Sequence, residues 1–244
     1  MTSTNSPLAV RQSITTTDTK GPAADIAALA RLRTQAQSYR LRRRQAIPAA
    51  SPPDSVFIVR SGLVAAENAA LPGHRTIVEL LYPGDIIASS LQPLTPGLTY
   101  TTMSATELWR MGTGTLKAEM AGDPSLAEFV FQRLNLQRAR MQLHITMLAG
   151  LSSEQRVAGL LLQAAYRLGS SNGGTISFDM PLSRTEVAEY LALNADTLSR
   201  IMSRLERENV LARSSRAQVS IRNLDALKAH CPLSDSVIAL HSEA

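Results

Sequence analysis

Leu182-Ser183-Arg184-Thr185-Glu186-Val187-Ala188-Glu189-Tyr190-Leu191, followed after Ala192-Leu193 by Asn194-Ala195-Asp196-Thr197-Leu198-Ser199-Arg200-Ile201, is the stretch on which the reading of this chain turns. Ser183 and Glu186 stand three residues apart, the spacing at which a hydroxyl caps a helix and a glutamate reaches back to the capping residue. Val187, Ala188 and Leu191 then give a short helix an apolar face. After the corner, Asn194 is a good cap for a second helix, on which Leu198, Ile201 and Leu205 point inward while Asp196, Ser199, Arg200 and Ser203 point outward. Two helices over 183–191 and 194–209, joined by too few residues for anything but a tight corner, with small Ala188 where they cross, have the spacing of a helix-turn-helix.

Elements on either side extend this unit. Downstream, 210–212 and 217–221 around Arg213-Ser214-Ser215-Arg216 read as a hairpin. Upstream, a helix over 152–168 stops at Gly169 and the Ser170-Ser171-Asn172-Gly173-Gly174 turn, and 175–178 suits a short strand. Farther back, Asp123-Pro124 marks the start of a long helix, since Asp caps free N–H groups and Pro needs none. Val130, Leu134, Met141, Ile145 and Leu148 follow a 3.6-residue stripe along it, and Phe129, Leu136 and Leu143 lie on another face. One face covers the preceding domain. The other suits the same helix of a second subunit, or else the C-terminal domain, with Gln137 and His144 interrupting the seam. Before it, the β-branched runs Val56-Phe57-Ile58-Val59, Thr76-Ile77-Val78 and Asp85-Ile86-Ile87 are broken by Gly62, Gly73 and Gly84, eleven residues apart. Strand, glycine turn and strand at that spacing describe an antiparallel roll.

At this point the sequence resembles the CRP/FNR family of bacterial transcription regulators. The helix-turn-helix residues quoted above carry the likeness. So do Ser61-Gly62-Leu63-Val64, Pro72-Gly73-His74-Arg75-Thr76-Ile77 and Leu81-Tyr82-Pro83-Gly84-Asp85-Ile86, similar to that family's sensory β-roll, and Ser152-Ser153-Glu154-Gln155-Arg156-Val157-Ala158, similar to the entry into its DNA-binding domain. The resemblance covers roughly residues 30 to 230 and implies an α+β chain. Its expected divisions are an arm over 1–25, a cyclic-nucleotide-binding-like β-roll over 26–122, a dimerisation helix over 123–150, a winged helix-turn-helix over 151–230 and a tail over 231–244. It also implies a homodimer, joined through Val130, Leu134, Met141, Ile145 and Leu148, that reads a two-fold symmetric operator in double-stranded DNA and acts on RNA polymerase.

Base-reading chemistry falls to the outward residues of the second helix. Arg200 can offer two donors to guanine O6 and N7, Asp196 can accept from cytosine N4, and Ser199 can meet a base edge. The FNR-like branch carries Glu, Ser and Arg at these places with TTGAT half-sites; here the acid is Asp196, one methylene shorter, so a TTGAT-like half-site is implied with one position in question. Ser183, Asn194, Arg204, Arg213 and Arg216 are the expected backbone contacts, which position without choosing sequence. Ala192 occupies a corner where the family has glycine. A positive φ there costs alanine about 1 kcal/mol.

Composition narrows the alternatives. The 244 residues are 44% hydrophobic and 18% charged, near globular averages. Residues 1 to 20 hold nine Ser or Thr and few large apolar groups, and suit a disordered arm. The net charge of +5 is concentrated at +6 in the first fifty residues, much of it Arg40, Arg42, Arg43 and Arg44, which read as a solvated basic face or a phosphate contact. No apolar run reaches the roughly 20 residues of a membrane span, and a soluble, cytoplasmic protein without membrane association is expected. One cysteine, Cys231, can neither form an internal disulfide nor hold a cluster alone; it is the candidate redox site beside His230. Hydrolase elbow, zinc-protease and P-loop motifs are absent, so no enzyme is expected.

The family's cyclic-nucleotide binders place an arginine after the Pro-Gly-Asp segment to neutralise phosphate, but residues 86–106 carry no charge at all. Cyclic AMP in that mode is disfavoured, and FNR-type iron–sulfur sensing lacks its cysteines. Haem would have to use His74 or His144, lone histidines better read as structural. No cofactor is expected, and the effector is not legible. The rival to a regulator of promoters is a sensor of the same fold that answers a small apolar ligand, haem or a redox signal and uses its helix-turn-helix for protein contacts.

Overall fold

The computed structural model describes residues 30–47, 54–69, 75–88, 97–215 and 217–242. After a helical turn at 30–35, strands β1 (Gln37–Leu41), β2 (Ser55–Ser61), β3 (Val64–Asn68), β4 (Thr76–Leu81), β5 (Ile86–Ile87), β6 (Leu98–Thr102) and β7 (Thr106–Gly112) form two antiparallel sheets, ordered β1-β7-β2-β5 and β4-β3-β6. In β2 the period-2 alternation sends Phe57 and Val59 into the roll, against Val64, Leu81, Tyr100 and Leu108, and Val56 and Ile58 outward under the helices. Both faces are thereby buried, which is why this strand reads as one unbroken apolar run.

Two of the three expected glycine turns are within the described residues. Gly62 and Gly84 have φ of +87° and +90°. At Gly62 a Cβ would also sit 2.5 Å from the Ala105 carbonyl oxygen, so only glycine fits. Gly73, with Pro72 and His74, lies outside the described residues.

Helices α1 (Thr113–Gly122) and α2 (Pro124–Gly150) follow, and Asp123 caps α2 by accepting from the Ser125 N–H, as the Asp-Pro pair predicts. The five apolar residues of the expected seam do not share one environment in the subunit. Val130 is buried with Leu126 and Phe129 under the roll, beside Val56, Ile58 and Trp109, and is thus core of its own domain. Gln137 and His144 do not interrupt the outer stripe at all. Gln137 lies on the roll side, where Oε1 accepts from Ile86 N at 2.9 Å and Nε2 donates to Ile86 O at 3.0 Å, completing the free edge of β5 as another strand would. His144 stacks on Tyr190, ring centroids 3.9 Å apart. The exposed apolar side of α2 is formed by Phe131, Met141 and Ile145, with Leu134 and Leu148 half-buried.

The C-terminal unit comprises α3 (Ser153–Leu168), β8 (Ser170–Asn172), β9 (Thr175–Asp179), α4 (Arg184–Tyr190), α5 (Ala195–Arg207), β10 (Leu211–Arg213), β11 (Gln218–Ile221), α6 (Leu224–Ala229) and α7 (Ser234–His241). Its sheet runs β10-β11-β9-β8. The segment 170–174, read as a turn, contributes a strand of its own: β8 pairs with β9 through Asn172 and Thr175, and Gly173 and Gly174, φ +56° and +83°, make the two-residue hairpin turn. The expected tail over 231–244 is likewise corrected. Val237 and His241 of α7 are buried, and α7 packs on α3 and α2. Its short apolar pattern carries no helix signal in isolation; packing supplies the stability.

One core cluster joins the two halves, with Leu63, Ile77, Leu80, Tyr82 and Met103 of the roll meeting Val157, Leu161, Phe178, Leu182 and Leu198. A polar junction lies beside it. Arg140 donates to Asp85 Oδ1 at 2.8 Å and to the Leu240 carbonyl at 2.7 Å, the Arg167 guanidinium lies 3.8 Å from Asp85 Oδ2, and Gln163 donates to the Tyr82 hydroxyl at 2.9 Å. Burial lowers Arg167 to about 10, His241 to about 3 and His144 to about 4, and raises the Glu79 carboxyl to about 7. Among the described residues no helix is long and apolar enough to cross a membrane.

Candidate nucleic-acid interface

The two expected caps hold the helix-turn-helix. Ser183 Oγ accepts from Glu186 N at 3.3 Å while the Glu186 carboxylate accepts from Ser183 N, and Asn194 Oδ1 accepts from Thr197 N at 2.7 Å. Ser183 and Asn194 are exposed at the starts of α4 and α5. Between them Ala192 has φ +52°, so the corner does use the left-handed conformation expected of glycine. Leu191, Leu198, Ile201 and Leu205 are buried beneath.

Asp196 and Arg200, one turn apart, are exposed on α5, and neither forms an ion pair among the described residues. Ser199 is half-buried: its hydroxyl donates to the Ala195 carbonyl at 2.7 Å and accepts from Arg184 Nη1 at 3.2 Å. Arg184 is a residue the sequence reading passed over. Its position one residue after the cap was the available signal, because a cation at the mouth of the first helix stands beside whatever the second helix reads.

The expected backbone arginines are engaged elsewhere. Arg204 pairs with Glu154 at 2.5 Å, and Arg213 grips Glu206 through Nε at 2.9 Å and Nη2 at 2.5 Å. The pairing holds the Glu206 carboxyl below its usual range and raises Arg213. Arg216 lies outside the described residues. Phosphate contact by Arg204 or Arg213 therefore requires exchange of an internal carboxylate for a phosphate, at surface sites where ion pairs are weak.

The N-terminal arginines are not a uniformly solvated face. Arg43 Nη2 donates to Glu186 Oε2 at 2.9 Å and its Nε to the Met103 carbonyl at 3.0 Å; Arg44 pairs with both Glu186 and Glu67, at 2.9 and 3.2 Å. Arg75 joins Glu67 to Glu189 at 3.3 and 2.8 Å. Three roll-side arginines thus clasp the first helix of the helix-turn-helix, an arrangement of charges distant in sequence that no local pattern encodes.

Cys231 is buried at 1% exposure and burial pushes its thiol up, so the thiolate needed for redox chemistry is disfavoured. Glu154, Glu208 and His230 bring ligand atoms within 4.8 Å of one another. Yet His230 Nδ1 faces Glu154 at 3.2 Å and Nε2 faces Glu208 at 3.4 Å. With its two nitrogens turned to opposite partners, the ring bridges α3, the end of α5 and the end of α6.

Comparison with known proteins agrees with this geometry. Residues 155–230 match the Crp-like helix-turn-helix domain. The chain is 27% identical over 180 residues to the nitrogen fixation regulation protein FixK of Azorhizobium caulinodans, spanning 72% of this chain and 71% of that one. It is 29% identical over 185 residues to the transcriptional activator protein FnrL of Cereibacter sphaeroides, with 71% of each chain covered. The solved structure of FixK2 from Bradyrhizobium japonicum superposes with a TM-score of 0.68 at 24% identity, over 80% of this chain and 97% of the other.

Proposed function

This chain belongs to the CRP/FNR family and is a DNA-binding transcription regulator, and from that premise we propose that it works as a homodimer on a palindromic operator. The observation that carries the reading is the outward placement of Asp196 and Arg200 on the first turns of α5, above a buried Leu198–Ile201–Leu205 face. Arg200 reads guanine, Asp196 reads cytosine and Ser199, once released from Arg184, meets the intervening base edge. Ser183 and Asn194, exposed at the helix starts, meet the phosphates, and Arg204 and Arg213 follow by exchanging partners.

The exposed apolar side of α2 supports the dimer. Phe131 and Ile145 are 60% and 59% exposed, and Met141 39%. Apolar side chains at this spacing on a 27-residue helix suit a self-complementary two-fold contact. The likeness to the transcriptional activator FnrL supports activation over repression, with RNA polymerase as the partner.

Selection from a random duplex pool tests this reading, at stated salt because phosphate contacts are salt-dependent. A two-fold symmetric motif with TTGAT-like half-sites one helical turn apart is the expected result. Arg200→Ala should cost about 1–3 kcal/mol and relax one position of each half-site. Enrichment of no sequence, or unchanged affinity of the variant, would overturn it.

A further inference from the structure

Between the roll and the winged helix lies a cleft of about 1140 Å³. Pro83 and Ala105 line its accessible wall from the roll, and Leu168, Met180, Pro181 and Met202 from the other side. That volume is large for a ligand site, and an apolar lining with few polar groups at a domain boundary is where small molecules bind. Its charged lining is three guanidiniums, Arg43, Arg184 and Arg213, against one carboxylate, Asp179. Arg43 is held by Glu186 and Arg213 by Glu206. Arg184 is different: the hydrogen bond described for it goes to a neutral hydroxyl, that of Ser199, at 3.2 Å. A planar guanidinium with no carboxylate partner among the described residues, at the edge of an apolar cleft, matches a ligand with an apolar body and one acidic head.

We propose that this cleft binds an elongated apolar monocarboxylate, its chain along Leu168, Met180, Pro181 and Met202 and its head on Arg184. The site lies outside the roll interior, whose core is filled by Phe57, Val59, Leu81 and Leu108. It shares Arg184 and Ser199 with the candidate DNA interface, so the carboxylate and a duplex compete; this second half rests on the DNA-binding reading given above. Apolar burial along the chain gives the affinity and the guanidinium the choice of head group.

Decanoate is the probe, kept below its micellar range and compared with decanol by isothermal titration calorimetry on the full-length protein without DNA. Decanoate is expected to bind about tenfold or more tightly than decanol, the effect of one charge-assisted pair. Ala105→Trp is the control variant: Ala105 lines the cleft from an exposed roll turn outside α4 and α5, so an indole there takes up the ligand's space while every side chain of the DNA-facing helices stays unchanged. It should abolish decanoate binding and leave DNA affinity intact. Decanoate at ten times its dissociation constant should raise the apparent DNA dissociation constant about elevenfold for the unmodified protein. It should leave that of the Ala105→Trp variant unmoved. Absence of decanoate binding, equal binding of decanol, or full binding by Ala105→Trp overturns the site. Decanoate binding that leaves DNA affinity unmoved overturns the competition. A protein that binds decanoate but no duplex at all refutes the DNA reading while the site stands.

Discussion

Ala192→Gly should stabilise this protein, against the usual cost of introducing glycine. Ala192 has φ +52° at the corner between α4 and α5, where Leu193 N donates to the Ala188 carbonyl at 2.8 Å and Ala192 N to the Glu189 carbonyl at 3.3 Å. The left-handed conformation costs an L-residue about 1–2 kcal/mol, which glycine avoids. Glycine in turn enlarges the conformational freedom of the unfolded chain by about 0.4–1 kcal/mol. Ala192 is exposed, so its methyl contributes little packing to lose. The balance is a gain of about 0.5–1 kcal/mol, or roughly 1–4 °C in Tm for a chain of this size. Urea unfolding followed by circular dichroism should show a higher midpoint with an unchanged slope. Ala192→Val, β-branched at a positive φ, should move the midpoint the other way. A destabilised Ala192→Gly would refute the argument that this corner is strained.

Three further outcomes follow from the packing. Asp85→Asn leaves Arg140 and Arg167 buried around a neutral amide and should cost about 3–5 kcal/mol, read as a lower urea midpoint; a loss under 1 kcal/mol would mean that the pair contributes no net stability. Ile145→Glu, on the exposed face of α2, should abolish the proposed dimer in analytical ultracentrifugation without lowering the Tm of the monomer, because a side chain 59% exposed in one subunit supports little of its own fold. His144 has a pKa lowered from 6.5 to about 4 by burial. The unfolded chain therefore binds a proton that the folded one refuses between those values. The His144 contribution to stability is full above pH 6.5 and falls by roughly 3 kcal/mol as pH drops toward 4, while His241, also lowered by burial, adds a fall in the same sense that both proteins share. His144→Phe, which keeps the stack on Tyr190, should flatten that fall relative to the unmodified protein. Glu79 titrates in the opposite sense in both proteins and cancels from the comparison.

Much of the winged helix was legible because its information is local. Ser183 with Glu186, Asn194 with Thr197, and the Leu198–Ile201–Leu205 stripe specify caps and faces within a few residues, and the helices form where those signals place them. The start of α2 at Asp123-Pro124 and the positive φ at Gly62 and Gly84 were readable for the same reason, and so was the strained corner at Ala192.

Other features rest on contacts between residues far apart in the chain. Val130 and Phe131 are adjacent and both apolar; only the position of the roll decides that the first is core and the second exposed. Gln137 resembles a flaw in a seam until the edge of β5 is placed beside it. Arg43, Arg44, Arg204 and Arg213 have the same chemistry as Arg200, yet each is held by a glutamate from another element, and charge alone carries no record of which carboxylate will be near. By itself the sequence determined the secondary structure that caps, periodicity and turn glycines encode, together with the residues facing outward on α5. The tertiary structure decided which arginines are free, which face of α2 remains open, how α7 finds its core and where the interdomain cleft lies. These depend on long-range packing and burial, and no pattern of spacing within one segment contains them.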